Sequence, residues 1–393
     1  MSVGTPELLI EAESGLEPEL EPVSGEIAAR SPLELFWRRL RADRTAMIAL
    51  GFIVVLLLIA ICAPLIVKLI GTTGPNAQDY KSLDPRFGSA TGPTSHHIFG
   101  VDGLGRDVFA RVLYGARVSL EVALIATTIS VTIGVVAGMY AGFFRGWIDT
   151  IISRVIDVQL AFPILLLALG LASSCSLGTG CLKEHGFGQV LIVIAVIWAV
   201  LAAVRLVLRL RSVGGRLEGS SLIGPLVLPV ILLALGLVLR FVVSGNSGLI
   251  KPGLTTVIFV IAFANWTYIA RIIRGQVLSL REKEFVEAAR SLGASNGRII
   301  FREVLPNLVA PIIVYSSLVI PQNILFEAAL SFLGVGVQPP QASWGAMIAD
   351  ATNVYDTAWW YMTFPGLALL ITVLAFNLLG DGLLDALNPR SGR

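Results

Sequence analysis

From Ala46 to Val67 the chain carries no charged side chain, and apolar stretches of similar length recur down to the C-terminus. A helix rises ~1.5 Å per residue, so roughly 20 apolar residues cross a hydrocarbon layer ~30 Å thick. Every backbone N–H and C=O must be satisfied inside the segment at that depth, which selects helices for such runs. With 55% of its 393 residues hydrophobic and only 14% charged, the sequence has too little polar surface to wrap these runs as a water-soluble core. The expected fold class is therefore an all-α integral membrane protein.

Eight runs qualify as spans, at about 46–68, 118–142, 154–174, 188–209, 222–243, 253–272, 308–331 and 360–384. The basic aromatic segment Phe36 to Arg44 precedes the first, as at a cytoplasmic membrane edge, which puts the N-terminus inside. Threading the spans from there leaves the Arg-rich loops inside: Arg145 and Arg154, then Arg205 to Arg216, then Arg271 to Arg302, and finally Arg390 and Arg393. The loop at 332–358 has no Lys or Arg, 244–252 has only Lys251 and 175–187 only Lys183, as expected outside. The long segment 71–117, with Arg106, Arg111 and Arg117, is the exception, and long loops translocate with little regard to charge.

Residues 1–35, rich in Glu, Pro, Gly and Ser, have too little apolar surface to offset the entropy of ordering and are expected to be a disordered acidic tail. Residues 36–117 then hold the juxtamembrane segment, the first span and an outer loop; 118–387 hold the main transmembrane domain, and 388–393 a cytoplasmic tail. A net charge of +2 gives no reason to expect nucleic acid as a partner. The sequence holds three cysteines. Cys62 sits in an apolar run, whereas Cys175 and Cys181 flank a small polar loop and either pair in a disulfide or stay as two thiols. No metal-ligand spacing is present; the three histidines are His96, His97 and His185. That leaves a membrane enzyme without catalytic groups, and no nucleotide-binding GxxxxGK[ST] occurs either.

The loop after the sixth span carries the most information. In Glu284-Phe285-Val286-Glu287-Ala288-Ala289-Arg290-Ser291-Leu292-Gly293, the residues Phe285, Ala288, Ala289 and Leu292 fall on one helical face. Gly293 follows as a C-cap, and Ser295 or Asn296 starts a second helix leading to Leu305-Pro306. Amphipathic loop helices are common, so periodicity alone does not assign a docking role. The identities do more: Glu287-Ala288-Ala289, Gly293 six positions after the Glu, and Leu305-Pro306 twelve positions after that Gly resemble the EAA loop of type I ATP-binding-cassette importer permeases. The triplet recurs at Glu327-Ala328-Ala329, but there the residue six on is Leu333, at the outer end of a span.

The stretches His97 to Arg111, Gly115 to Leu120, Asp157 to Pro163, Glu327 to Gly336 with Trp344-Gly345, and Asn377 to Asp385 resemble the dipeptide, oligopeptide and nickel permeases in particular. The resemblance implies a type I permease fold with a six-helix core, here enlarged by a two-helix insertion at about 175–250. It implies a coupling helix, with Glu284, Glu287, Ala288, Ala289, Arg290 and Gly293, that docks on a cytoplasmic ATPase subunit. Implied partners are two such ATPase subunits holding ATP and Mg, a second permease forming a heterodimer, and an extracytoplasmic solute-binding protein; the chain itself is expected to bind no cofactor. The setting would be a bacterial or archaeal cytoplasmic membrane with both termini inside. Asp102, Arg106 and Asp107 are candidates for the outer docking surface. Asp157, Gln159 and Glu327 are candidates for the pathway or gate, with anchoring of helix ends as the alternative for each. Cargo stays open between peptides and nickel or another small solute. An ATPase-independent secondary transporter is the rival, and the sequence shows none of its internal repeats.

Overall fold

The computed structural model describes residues 32–177 and 254–387. Ten helices are found among them: α1 (Pro32–Ala42), α2 (Arg44–Ile70), α3 (Val108–Phe144), α4 (Gly146–Ala161), α5 (Ile164–Leu177), α6 (Leu254–Leu280), α7 (Glu284–Ser291), α8 (Asn296–Phe332), α9 (Trp344–Ala351) and α10 (Trp359–Leu387). Five of them, α2, α3, α6, α8 and α10, are long and apolar enough to cross a membrane; α4 with α5 makes a sixth candidate, bent by 88°. The expected spans at 188–209 and 222–243, and the insertion they define, lie outside the described residues, as do most of the acidic tail and the last six residues.

Local chemistry sets the helix ends. Asp43 accepts from Thr45 N and Ala46 N at the start of α2, and Gly71 closes it in the left-handed region at φ 74°. Asp107 caps α3 through Ala110 N at 2.8 Å, and Ser343 caps α9. Helix α1 starts at Pro32, within the segment expected to be disordered, because proline suits a first helical turn. The third expected span is not straight. Pro163 has no N–H to donate and forces Phe162 into an extended conformation (φ −86°, ψ 138°), so the chain turns there instead of continuing as one helix to residue 174. By contrast α8 passes Pro306 unbroken, because the turn before it widens to π geometry over Ile299–Val304, with Leu305 N bonded to Ile300 O.

The core is built on the α3–α6 pair, the most extensive helix contact. Gly134, Gly138 and Gly142 form a stripe along α3, and a Cβ placed on them would lie 2.7 Å from Trp266 O, 2.6 Å from Ala270 O and 2.9 Å from Arg274 O. Only hydrogen at those positions lets the two backbones approach so closely, as in small-residue interfaces between membrane helices. Deeper in the bundle Asn265 Nδ2 donates to Asn323 Oδ1 and Asn323 Nδ2 to Thr127 Oγ1, both at 2.7 Å, tying α6, α8 and α3. Helix α2 lies against α3 and α10, and Gly382 gives room for Ala46. The outward side of α2, including Ile48, Leu58, Ile61, Leu65 and Leu69, stays exposed as a bilayer-facing surface.

Candidate functional site

Helix α7 stands on the end of α6 and is held by one side chain. Val286 is fully buried among Val277, Ile299, Ile300 and Val304, with Ala289 partly buried beside it. The helix therefore rests on one edge of its apolar stripe. Phe285 (37% exposed), Ala288 and Leu292 (88% exposed) face outward together with Glu284, Glu287 and Arg290, so three of the four residues of the expected apolar stripe lie at the surface and Ala289 turns toward the core. Glu284 and Glu287 sit in the first turn and Arg290 in the last, each complementing the helix dipole. Gly293, at φ 78°, completes a Schellman cap: its N–H bonds Arg290 O and the N–H of Ala294 bonds Ala289 O, both at 3.0 Å. Asn296 starts the following helix as expected, but that helix is the beginning of α8 itself.

The base of α7 is tied to the elbow between α3 and α4. Arg281 donates to Phe143 O and lies over the Phe143 ring at 5.9 Å, and Arg145 pairs with Glu282. Burial, then the nearby Arg145 and Arg290, lowers the pKa of Arg281. Arg145 has φ 52° and ψ −168°, a conformation that costs a non-glycine residue about 1–3 kcal/mol, and Gly146 beside it has φ 65°. A force on α7 thus reaches α3 and α4 through two arginines and a strained corner.

The pathway candidates are not brought together. Asp157 pairs with Arg271 at 3.1 Å on an open face. Gln159 is buried and staples α4 to α6: its Nε2 donates to Phe263 O at 2.6 Å, and its Oε1 accepts from Trp266 Nε1 at 3.1 Å. Glu327 has no exposure and accepts from Ser119 and Ser331 at 2.7 Å, with Ser343 as a third hydroxyl partner, joining α3, α8 and the start of α9. Its neighbour Ala328 packs against Gly345, so the second Glu-Ala-Ala triplet is interior.

The outer candidates point inward rather than outward. Residues 97–107 form a loop closed by a bridge between Val101 and Asp107, and helix begins only at Val108. The Asp102 carboxylate accepts from Leu104 N, Arg106 N and Arg106 Nε, and Asp107 bonds His97 Nδ1 at 2.7 Å besides capping α3. Asp102, Arg106 and Asp107 are all buried, because each is consumed in folding the loop. His97 continues through Ser82 to Asp79, whose pKa is lowered by the Ser82 hydroxyl and the Lys81 N–H. Cys62 is a free thiol; Cys181 lies outside the described residues, as does the Cys175 side chain. Among the described residues no group of three His, Cys, Asp or Glu could hold a metal.

Sequence comparison then assigns the family. Residues 195–393 match the model of the binding-protein-dependent transport system inner membrane component, and residues 31–85 that of the N-terminal transmembrane domain of oligopeptide transport permease C. The dipeptide transport system permease protein DppC of Alkalihalophilus pseudofirmus is 32% identical, covering 95% of each chain. A putative peptide transport system permease protein of Brucella abortus is 36% identical, over 92% of this chain and 93% of its own. The glutathione transport system permease protein GsiD of Salmonella typhimurium is 37% identical over 92% and 91%. The chain belongs to the family of binding-protein-dependent transport system inner membrane components, and is a multi-pass permease subunit of an ATP-binding-cassette importer, a transport component and not an enzyme.

Proposed function

We propose that this chain forms, with a second and homologous permease, the channel of a peptide importer in a bacterial or archaeal cytoplasmic membrane. Two separate subunits holding ATP and Mg drive it from the cytoplasmic side, where both termini also lie, and a solute-binding protein delivers cargo from the other side. The observation that carries this reading is α7: a short helix with one buried anchor, an outward face of Phe285, Ala288 and Leu292, and carboxylates at Glu284 and Glu287 for a partner's basic groups. The family has ATPase and binding-protein partners by its nature. The relatives named for dipeptides, peptides and glutathione favour peptide cargo over nickel.

Co-expression with candidate ATPase and permease partners, followed by co-purification and uptake of a labelled peptide, tests the proposal. Replacing Glu287 with Ala and Gly293 with Val together should abolish ATP-dependent uptake while leaving membrane insertion intact. Wild-type uptake by that double variant would remove the coupling role.

A further inference from the structure

Helix α4 has two faces. Trp147, Ile151, Val155 and Val158 make an exposed apolar side. Asp149, Ser153 and Asp157, spaced by four, with Thr150 and Arg154 between them, make a polar side that meets Arg271 and Arg274 of α6 around an open cavity of about 340 Å³. That volume lies within the roughly 300–1,000 Å³ typical of small-ligand sites. Arg274 holds Asp149 through Nε at 2.5 Å and Nη2 at 2.9 Å, and Arg271 holds Asp157 at 3.1 Å. Arg154 also lines the cavity, is exposed, and has no carboxylate within ion-pair distance among the described residues.

Depth makes this arrangement informative. Arg271 is nine residues before the end of α6 and Asp157 eleven residues beyond the start of α4, so both stand about 14–17 Å from the helix ends that carry α7. The expected spans begin at about 154 and end at about 272, so both residues stand at the inner edge of the hydrocarbon layer, where exposed ionised groups are costly unless they face water or a partner. Yet the Arg271 and Asp157 side chains are each 55% exposed, and α4 already offers a separate apolar face to lipid or to another subunit. The charged face is left for an aqueous space. Three cations and two anions around it give a mixed surface with cationic excess, suited to a ligand carrying a carboxylate and an ammonium group on one short backbone.

We propose that this cavity between α4 and α6 is a station on the cargo pathway that takes zwitterionic peptides with free termini, Arg154 meeting the carboxylate and Asp157 the ammonium. The inference rests on the proposed peptide cargo. Two measurements on the complete importer test it. In a chain carrying Cys62→Ala, Cys175→Ser and Cys181→Ser, a cysteine introduced by Thr150→Cys should react with a water-soluble thiol reagent, and millimolar trialanine should slow that reaction about tenfold, a difference worth about 1.4 kcal/mol. Lack of reaction would mean that another subunit covers the face, and reaction without protection would mean a vestibule that holds no peptide; either overturns the station. In the second, Arg154→Gln should lower the ratio of trialanine to trialanine amide uptake about tenfold relative to the parent, and Arg154→Lys should restore most of it. An unchanged ratio would remove Arg154 as the carboxylate partner. Import of trialanine by the unaltered complex is read separately, so a failure of peptide transport itself is distinguishable from a failure of the cavity.

Discussion

Glu327 shows how a side chain can look functional in sequence and be placed by packing. As a lone carboxylate near a span end it invites a pathway role, but its oxygens take the hydroxyls of Ser119, Ser331 and Ser343. Nothing in the spacing of those serines discloses the cage, since Ser119 is 208 residues away. Glu327→Ala would strand buried donors, and we expect it to cost about 2–4 kcal/mol, seen as a lower unfolding temperature in detergent, with Glu327→Gln markedly milder. Gly293 is the opposite case: its left-handed role was legible from one residue in context. A Cβ there meets nothing within 4 Å, so Gly293→Val should fold and insert, paying only about 1–2 kcal/mol of local backbone strain. Asp79 adds a pH effect outside the spans. Its folded pKa lies below the ordinary 3.8, so the stability it gives the outer loop is present above that value and is lost as pH falls through the lower folded value. Digestion by an acid protease should accordingly cut the 79–97 segment faster as pH drops below about 4, and Asp79→Asn should remove most of that dependence.

At the scale of elements, hydropathy and length found the described spans, while their interruptions needed local backbone chemistry. Pro163 lies inside an apolar run and Pro306 just before one, yet the first breaks its helix and the second is absorbed by a π turn; the difference lies in the local backbone hydrogen bonding, which no window average contains. The four-residue spacing of Gly134, Gly138 and Gly142 is visible in the sequence, but the partner helix is not, because α6 begins more than a hundred residues later. Enlarging the middle of that stripe should be severe: Gly138→Leu is expected to cost about 3 kcal/mol or more, since Ala270 O and Ile273 already occupy the space. Gly366→Ala in α10, where a Cβ meets nothing within 4 Å, is the control and should be neutral or slightly stabilising in a thermal unfolding assay. For α7 the period gave the helix and its cap, but Val286 as its single anchor appears only once Ile299, Ile300 and Val304 are folded beneath it.

Across the whole molecule, the described helices form one linkage from the surface of α7 to the charged face of α4. Arg281 and the Arg145–Glu282 pair join α7 to the α3–α4 elbow, and the Asp149–Arg274 and Asp157–Arg271 pairs carry α4 along α6. Such a chain of ties can bias two arrangements of a bundle if something pushes its end, and the account assigns that push to an ATPase subunit in the cytosol. The cytosolic side of α7 is an expectation read from loop charge, whereas the charged face of α4 was not legible in the sequence, because Asp149, Arg154 and Asp157 acquire their meaning only beside Arg271 and Arg274. Leu292, the most exposed apolar residue of the α7 segment and its cap, reads the claim directly when replaced by cysteine in a chain freed of its other thiols. A membrane-impermeant reagent should leave Leu292→Cys untouched in intact cells, label it in inverted vesicles, and lose access there once the ATPase subunit binds. Labelling from outside intact cells, or labelling in inverted vesicles that the bound ATPase does not reduce, would contradict the account.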